Sequence, residues 1–235
     1  MMLGSIHLIP VPLAPEQTGT IPEEVRTQAT RLKYYFVENL RTARRMLKAF
    51  DKDVDIDSIN FCEINKQKGI DTALLKNWLT KGYDVGVMSE AGCPGVADPG
   101  AEVVAYAQQL GAKVMPYVGP SSILLALMAS GFSGQRFRFL GYLPVKEPMR
   151  SKAIKEMEHT AHSLSETQIF IETPYRNNTL IEELIKNCHP KKTKLCIAVD
   201  ITDPGQQIRS MTLADWARET IDIHKRPAIF LIYPA

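Results

Sequence analysis

The chain has 235 residues, of which 45% are hydrophobic and 23% charged, and its formal net charge is +2. These values are typical of a globular protein with one large or two ordinary domains, and no stretch approaches the roughly 20 apolar residues that span a bilayer. The chain start lacks the pattern of a secretory signal, so we expect a cytoplasmic protein without membrane association. A general non-specific RNA binder would usually be more basic, although a net charge of +2 does not forbid a nucleic-acid partner.

No metal site is predicted from the sequence. The four cysteines are scattered without a C-x-x-C pair, which argues against a zinc site and a disulfide framework. The acidic stretch Asp51–Asp57 lacks the glycine and the terminal glutamate of a calcium loop. The histidines stand in strand, helix and loop contexts without sequence partners, and we assign them no chemistry.

Strands and helices alternate over the first half of the chain. The predicted strands are Ser5–Pro10, Tyr34–Val37, Phe61–Ile64, a run that starts at Val85, and Lys113–Tyr117. The predicted helices are Pro22–Leu32, Leu40–Phe50, a helix from the cap Asp71 to Lys81, and Ala101–Leu110. Thr20 to Glu23 has the spacing of a capping box. The alternation predicts a mainly parallel sheet with helices on both faces.

The stretch from Val85 to Gly100 (VGVMSEAGCPGVADPG) combines an apolar strand with two turns rich in glycine and proline. Ligands of open α/β sheets bind beyond the carboxyl ends of the strands, and glycine lets backbone approach a ligand closely. A second such loop, Val118–Ser122, opens the apolar helix Ile123–Ala129, which we expect to be buried. Ser121 or Ser122 could cap that helix, and an ordinary cap is as good an interpretation as a polar receptor.

The second half has a different order of elements. The predicted strands are Phe137–Gly141, Gln168–Glu172, Lys194–Val199, Gln207–Met211 and Ala228–Tyr233, and the predicted helices are Ser151–Leu164, Asn177–Asn187 and Leu213–Ile223. A third special loop, Thr173–Arg176, follows the second of these strands. The short turn at Asp203–Gly205 joins two consecutive strands and predicts a mixed sheet. We therefore predict an α/β protein of two α/β domains, residues 1–118 and 119–235.

Several separated motifs are similar to one family. SEAGCPGVADPG at Ser89–Gly100 looks like S-D-A-G-T-P-x-I-S-D-P-G, and GPSS at Gly119–Ser122 stands where the family has P-G-x-S-A. FLGYLPVK at Phe139–Lys146, followed by Arg150, looks like F-x-G-F-L-P-x-K…R, and ETPYR at Glu172–Arg176 looks like E-S-P-H-R. The chain resembles the tetrapyrrole methylase superfamily, the class III S-adenosylmethionine-dependent methyltransferases. It is most similar to the bacterial branch that methylates a cytidine ribose 2′-hydroxyl of small-subunit ribosomal RNA.

Four segments depart from that branch. The opening A-T-P-I-G-N-L loop is replaced by Val11-Pro12-Leu13-Ala14, which has no glycine or asparagine. A-E-D-T-R-x-T-R appears as VENLRTAR at Val37–Arg44, R-E-L-T-K as VDITD at Val199–Asp203, and K-G-E as KRP at Lys225–Pro227. The motifs usually placed on the cofactor side are better kept than those usually placed on the substrate side.

The resemblance implies S-adenosyl-L-methionine as cofactor, folded in a cleft between the two domains and touched largely by backbone. The implied cofactor residues are Pro12, Ser89, Glu90, Ala91, Gly92, Val96, Ser121, Ser122, Glu172, Ile201, Pro227 and Ala228. By the same resemblance the protein is expected to be a homodimer, with ribosomal RNA or the small ribosomal subunit as partner.

Methyl transfer from a sulfonium requires in-line positioning and, for a hydroxyl acceptor, removal of a proton. The candidate catalytic residues are Glu38, Arg41 and Glu90, and the candidate substrate-binding residues are Arg41, Arg44, Asp98, Lys146, Arg150 and Arg176. Lys146 and Arg150 are the preferred anion contacts. Glu38 could instead be a charge at a helix N-terminus, at least one arginine of the Arg41 helix a solvated residue, and Arg176 a structural contact of its own turn.

Three functions remain open from the sequence. The leading hypothesis is a methyltransferase of an RNA ribose hydroxyl. A second keeps the cofactor but has a tetrapyrrole or another small molecule as acceptor, although the uroporphyrinogen-type G-x-G-P-G-D first loop is absent. The third, suggested by the altered first loop, is a non-catalytic relic that binds cofactor or RNA.

Overall fold

A computed structural model describes residues 2–65, 67 and 69–235, and the chain forms two compact units, Met1–Ser121 and Ser122–Ala235. The boundary predicted from the sequence, between Val118 and Gly119, stays a prediction about independently folding domains. Within the described ranges, no helix is both long and apolar enough to cross a membrane.

The first unit is built on a five-stranded parallel sheet. Its strands are β1 (Ile6–Leu8), β2 (Tyr34–Val37), β3 (Asn60–Glu63), β4 (Val85–Met88) and β5 (Val114–Pro116). Its helices are α1 (Glu23–Arg31), α2 (Leu40–Phe50), α3 (Thr72–Thr80) and α4 (Ala101–Gln109). The strand order is β3-β2-β4-β1-β5, and each neighbouring pair is parallel. The predicted parallel sheet is confirmed.

Helices cover both faces of this sheet because its strands are apolar on both sides. Along β2, Tyr35 and Val37 pack into one core with residues of α1 and α2, whereas Phe36 packs into a second core with residues of α3 and α4. Successive side chains of a strand point to opposite faces, so one short apolar strand supplies both cores.

The carboxyl ends of β1 and β4 lie at a topological switch point. These two strands are neighbours, but β1 leads through α1 to β2 on the far side of β4, whereas β4 leads through α4 to β5 on the far side of β1. The two connecting helices leave toward opposite faces, which opens a crevice where ligands of such folds bind.

The second unit is built on a mixed sheet. Its strands are β6 (Phe137–Tyr142), β7 (Thr167–Ile171), β8 (Thr193–Val199), β9 (Gln207–Thr212) and β10 (Ala228–Pro234). Its helices are α5 (Ser122–Ser130), α6 (Met149–Leu164), α7 (Asn177–Asn187) and α8 (Leu213–Trp216). The order is β6-β7-β10-β8-β9, in which only the β6–β7 pair is parallel. The predicted mixed sheet is confirmed.

The helix predicted for Leu213–Ile223 is wrong beyond Trp216, where α8 ends. Two side-chain amides of α7 hold the following segment instead. Asn177 Nδ2 donates to the carbonyls of Ile223 and Arg226, at 3.3 and 2.7 Å, and Asn178 Oδ1 accepts from the Ile223 N–H at 3.0 Å. These tertiary hydrogen bonds hold the segment after α8, and the one to the Ile223 N–H replaces the partner that this group would have had in a longer helix.

Two other local predictions need correction. The capping box is wrong, because α1 begins after Pro22 without a side-chain cap and the Thr20 hydroxyl donates to the Gln17 carbonyl at 2.7 Å. Helix α5 is only partly buried, since Leu124 is 50% and Met128 79% exposed. The apolar composition of α5 therefore fills one core face and leaves an apolar outer surface.

Candidate functional site

In the first unit, the loop after β1 pairs with the loop after β4 through main-chain atoms. The Val11 N–H donates to the Gly92 carbonyl at 2.9 Å, and the Gly92 N–H donates to the Val11 carbonyl at 3.0 Å. Gly92 has φ +68°, a conformation that glycine adopts without the Cβ penalty of other residues. This bridge places the backbone of Pro12 beside that of Ala91.

The loop after β5 reaches the same edge. The Cys93 sulfur lies 3.5 Å from the Pro120 carbonyl oxygen, and a Cβ built on Gly92 would lie 3.6 Å from that oxygen. A Cβ on Gly119 would lie only 2.2 Å from the Pro10 Cβ, so only glycine permits this approach. The three loops after β1, β4 and β5 therefore converge at the switch point. The implied cofactor residues that they carry are Pro12, Ser89, Glu90, Ala91, Gly92 and Ser121.

The candidate catalytic residues Glu38 and Glu90 are neighbours at this edge. Glu38 extends β2, since its N–H donates to the Met88 carbonyl at 3.0 Å. Its Oε2 accepts from the Glu90 N–H at 3.0 Å, and Glu90 Oε1 accepts from the Thr42 hydroxyl at 3.1 Å. The carboxylate of Glu38 thereby fixes the backbone of the β4 loop to the end of β2.

The two candidate arginines of α2 differ in their contacts. Arg41 is exposed in the first turn of the helix, whereas the guanidinium of Arg44 lies 3.1 Å from an Asp57 carboxylate oxygen. Both members of that pair are solvent-exposed, so the pair contributes little and a substrate phosphate could displace it.

A cavity of about 390 Å³ lies beyond the carboxyl ends of β2 and β3. It is lined by Glu38, Glu63, Ile64, Asn65 and Gln67. Glu63 Oε1 accepts from the Leu40 N–H at 2.6 Å and so binds the first turn of α2. Glu63 and Asn65 are not among the residues predicted for the site, because Glu63 lies within the predicted strand Phe61–Ile64 and Asn65 belongs to no motif.

In the second unit, the ends of β7 and β8 meet the start of β10. Ile171 is paired with Ile229, and Val199 with Ala228. Beyond these pairs, the Asp200 N–H donates to the Pro227 carbonyl at 2.9 Å. Four of the implied cofactor residues, Glu172, Ile201, Pro227 and Ala228, therefore lie along one edge of this sheet. Ser122 lies elsewhere in this unit, at the start of α5.

The Glu172 carboxylate is the centre of a buried ion-pair network. Arg150 Nη1 lies 2.9 Å from Glu172 Oε2, and Arg176 Nη2 lies 2.8 Å from Glu172 Oε1. Arg150 Nε also binds Glu183, and its Nη1 donates to the Pro144 carbonyl at 3.1 Å. Burial tends to raise the pKa of Glu172, but the Thr173 N–H and the two guanidiniums outweigh burial and hold the pKa below its ordinary value.

This network changes the interpretation of two substrate-binding candidates. Arg150 is only 4% exposed and is committed to two carboxylates, which argues against a direct contact with a substrate. Arg176 binds Glu172 and the Thr173 hydroxyl, as expected for the structural alternative. Lys146 remains exposed, and its carbonyl accepts from the Arg150 N–H at 3.1 Å.

The edge that carries Ile201 and Pro227 is strained. Asp200, Thr202 and Lys225 have φ values of 48°, 72° and 64°, which residues other than glycine rarely adopt. Arg226 Nε, 2.7 Å from Asp200 Oδ2, ties two of these segments together. The Thr202 hydroxyl is buried without a hydrogen-bond partner in the described chain. A strained edge with an unpaired hydroxyl fits a ligand that brings polar groups, such as a nucleoside.

The remaining candidates, Val96 for the cofactor and Asp98 for the substrate, lie on the loop after β4. Val96 is half-exposed, and its N–H donates to the Cys93 carbonyl at 3.2 Å. Burial, with the nearby Asp98 carboxylate, raises the pKa of the Cys93 thiol, so this cysteine is a poor nucleophile at neutral pH.

Among residues 2–65, 67 and 69–235, no three His, Cys, Asp or Glu side chains form a group that could hold a metal ion.

Comparisons with known proteins agree with this architecture. Ribosomal RNA small subunit methyltransferase I of Vibrio cholerae is 26% identical over 231 residues, which cover 97% of this chain and 76% of that protein. The protein of the same name from Halalkalibacterium halodurans is 27% identical over 221 residues, with 92% and 72% covered. The crystal structure of the methyltransferase CobJ has the same fold, with a TM-score of 0.63, 17% identity, and 99% of this chain and 95% of that chain covered.

Residues 25–217 match the family described as tetrapyrrole (corrin/porphyrin) methylases. This match confirms the family that the sequence motifs indicated. It spans most of the chain, and both sheets have the predicted parallel and mixed arrangements. The chain therefore belongs to the tetrapyrrole (corrin/porphyrin) methylase family.

Proposed function

We propose that this methyltransferase uses S-adenosyl-L-methionine to methylate small-subunit ribosomal RNA, at a ribose 2′-hydroxyl. The observation that carries the cofactor assignment is the convergence of three strand-end loops at the switch point of the parallel sheet, joined by the Val11–Gly92 bridge. The RNA acceptor is supported by relatives that carry the name of a ribosomal RNA methyltransferase and align over almost the whole chain.

The cofactor would be held mostly by backbone groups. In the first unit, the peptide groups of Ser89–Gly92 and of Pro12 would bind it. The bound cofactor supplies a methyl group that its sulfonium charge has already activated. The main task of the chain is therefore to fix donor and acceptor in line, which does not require charged side chains at the donor.

The acceptor hydroxyl has to lose a proton during transfer. Glu38 is the residue that we assign to orient this hydroxyl and accept its proton, because it lies at the end of β2 and binds the backbone of the β4 loop. Arg41 and Lys146, both exposed, would contact phosphates of the RNA. Arg150 takes no part in binding the RNA, since Glu172 and Glu183 already occupy it.

The protein is further proposed to act as a homodimer in the cytoplasm. Leu124 and Met128 form an exposed apolar surface on α5 that a second copy could cover. Sedimentation velocity of the wild type and of Met128→Glu would test this: a dimer that the substitution converts to a monomer supports the proposal, and a wild-type monomer at micromolar concentration contradicts it.

The function is tested in two steps. Isothermal titration calorimetry should detect S-adenosylmethionine binding, and absence of binding at millimolar ligand would contradict the proposal. The protein should then transfer a tritiated methyl group to small ribosomal subunits from a strain that lacks it. Transfer to porphyrinogens but not to these subunits or to naked ribosomal RNA would reject the RNA acceptor and favour the small-molecule one.

A further inference from the structure

An exposed tyrosine follows β7 in the second unit. Tyr175 is 68% exposed, although along the chain it comes between the buried Glu172 and helix α7. It lies in a short 3₁₀ turn, in which the Arg176 N–H donates to the Thr173 carbonyl at 2.8 Å. The Arg176 guanidinium binds the Glu172 carboxylate and so fixes the turn to the end of the strand. The aromatic ring is therefore presented to solvent from an anchored backbone rather than from a free loop.

The segment before β10 holds this ring from one side. The Lys225 N–H donates to the Pro174 carbonyl at 3.0 Å, and the Lys225 ammonium nitrogen lies over the Tyr175 ring, 5.8 Å from its centroid. The His224 ring meets the tyrosine ring in a T-shaped contact, with the centroids 5.8 Å apart. Lys225 has a φ of 64°, which residues other than glycine rarely adopt. The chain thus tolerates backbone strain at the residue that places a cation beside an exposed aromatic ring.

The cations at this edge differ in what they already bind. The guanidinium of Arg176 is paired with Glu172, and that of Arg226 with Asp200. The exposed Lys225 ammonium lies over an aromatic ring instead, and a cation–π contact does not neutralise its charge. Lys225 can therefore bind an additional anion.

A second exposed tyrosine lies at the same edge of the sheet. Tyr142 is 61% exposed and is paired with Ile171, the last residue of β7. Because β6 and β7 are parallel neighbours, Tyr142 and the turn that carries Tyr175 both lie at the carboxyl ends of these strands. The exposed Lys146 follows on the loop after β6. Exposed aromatic rings and lysines thus alternate along one edge of the second unit.

This combination is typical of surfaces that bind single-stranded nucleic acid, because bases stack on aromatic rings while cations bind the phosphates. We propose that Tyr175 is a stacking platform for an unpaired base of the RNA, and that Lys225 binds a phosphate of the same strand. The inference rests on the proposed RNA function and adds a substrate-binding residue that was not among the predicted candidates. Duplex RNA does not fit this surface, since its bases are already stacked on one another.

Stacking is compatible with the contacts that the ring already makes. The Lys225 ammonium lies over one face of Tyr175 and His224 contacts it in a T-shaped geometry, so a base would stack on the opposite face. Tyr175 stands where the related branch has the histidine of E-S-P-H-R. Tyrosine and histidine are both side chains on which unpaired RNA bases stack, so the replacement keeps a flat ring at this position.

The test compares Tyr175→Leu, which removes the ring but keeps an apolar side chain, with Tyr175→Phe, which removes only the hydroxyl. Fluorescence anisotropy with a fluorescein-labelled, unstructured single-stranded RNA oligonucleotide measures the Kd of each protein. Tyr175→Leu should bind this RNA roughly tenfold more weakly than the wild type, and Tyr175→Phe within about twofold of it. Lys225→Gln should lower the slope of log Kd against log salt concentration by about 0.7, the value for one phosphate contact of a single strand.

Two controls separate stacking from a general effect on the fold. Phe137→Leu replaces another exposed ring, at the opposite end of β6, and should leave the Kd unchanged. The same RNA annealed to its complement offers no unpaired base, so Tyr175→Leu should change the Kd of the duplex by less than about twofold. The melting temperature of each variant is measured alongside, and we expect that of Tyr175→Leu to be unchanged because the side chain is exposed.

Several results would overturn the inference. They are a wild type that does not bind single-stranded RNA, unchanged binding in Tyr175→Leu (as expected if this surface docks a protein instead), and equal losses in Tyr175→Leu and Tyr175→Phe. Equal losses for single-stranded and duplex RNA would also contradict stacking.

Methyl transfer separates this inference from the proposed function. If Tyr175→Leu weakens RNA binding as expected but the wild type methylates no ribosomal RNA, the proposed function fails while the stacking site stands. If the wild type methylates small subunits and Tyr175→Leu does so with the same kcat/KM, the stacking site fails while the function stands.

Discussion

The strand-end edges of the two units are stabilised in opposite ways. In the first unit, main-chain hydrogen bonds between Val11 and Gly92 and the close approach of Gly119 to Pro10 define the edge. In the second unit, the Glu172 carboxylate and the guanidiniums that surround it define the edge. The first arrangement depends on backbone conformation, and the second depends on buried charge.

This difference explains why the altered first loop does not disturb the architecture. The chain has Val11-Pro12-Leu13-Ala14 where the related branch has glycine and asparagine. Because Val11 contributes only its N–H and its carbonyl to the bridge, its side chain can pack into the core instead. An edge built from charged side chains would not tolerate comparable replacements, since each lost partner leaves a buried charge.

The largest effect in this comparison is expected for Arg150→Met. The substitution would leave Glu172 and Glu183 without their shared guanidinium, and loss of one partner of a buried pair typically costs about 3–5 kcal/mol. Urea unfolding should show a decrease of this size in the free energy of unfolding at pH 7. Lys152→Met on the exposed face of the same helix should stay within about 0.5 kcal/mol, and equal effects of the two would contradict the network's role.

The backbone edge is tested by Gly92→Ala. A Cβ at φ +68° is strained and would lie 3.3 Å from Leu13 Cδ2, so we expect a loss of roughly 1 kcal/mol in stability. We also expect about tenfold weaker S-adenosylmethionine binding by calorimetry. Gly111→Ala is the matched control, because Gly111 has φ +79° and open space around its Cβ position.

Gly111→Ala should share the strain but keep cofactor affinity. If Gly92→Ala binds the cofactor as tightly as Gly111→Ala and the wild type do, the loop that contains Gly92 does not contact the cofactor. This conclusion holds whatever the free energies of unfolding of the two variants are.

Acid should act on the charged edge rather than on the backbone edge. The pKa of Glu172 is lowered in the folded state, so its contribution to stability is complete above the unfolded pKa of about 4.3 and is lost as pH falls through the lower folded value. The wild type should therefore lose stability steadily below about pH 5. Glu172→Gln should be less stable than the wild type at pH 7, and its free energy of unfolding should fall less steeply with decreasing pH. If the free energy of unfolding depends on pH in the same way in both proteins, Glu172 is not the residue that makes the fold sensitive to acid.

The smallest effects are expected for the arginines of α2. Arg44→Ala removes an exposed pair with Asp57 and should change the free energy of unfolding by less than about 1 kcal/mol. Arg41→Ala should leave stability unchanged but raise the KM for RNA and flatten its dependence on salt, because a phosphate contact is lost. An unaltered salt dependence in Arg41→Ala would remove Arg41 from the substrate surface.

Much of the fold could be predicted because periodicity and turn residues were locally consistent. The β2 and α2 boundaries agree with the prediction, and Asp71 caps α3 by accepting from the Leu74 N–H at 2.9 Å. The helix after Leu213 could not be predicted in full, because the segment that follows Trp216 is held by Asn177 and Asn178, far away in the sequence. Periodicity does not report such tertiary hydrogen bonds.

The candidate site was predictable to a similar degree. Glycines and small residues after strands marked the loops that converge in the first unit, because backbone approach has a compositional signal. The burial of Arg150 had no such signal in the sequence. A charged residue is usually exposed, and Arg150 is buried only because Glu172 and Glu183 pair with it. Glu63 was overlooked because a lone glutamate at the end of a predicted strand belongs to no motif, and only the fold brings it to the same cavity as Glu38.

The bridge between Val11 and Gly92 also constrains how related chains can diverge. Its hydrogen bonds require a fixed number of residues from the end of β1 to position 11 and from the end of β4 to position 92. Side chains along both segments are free to vary, whereas an insertion or deletion would move the bridge out of register. Comparisons that weigh spacing above residue identity should therefore detect distant members of this fold that identity alone would miss.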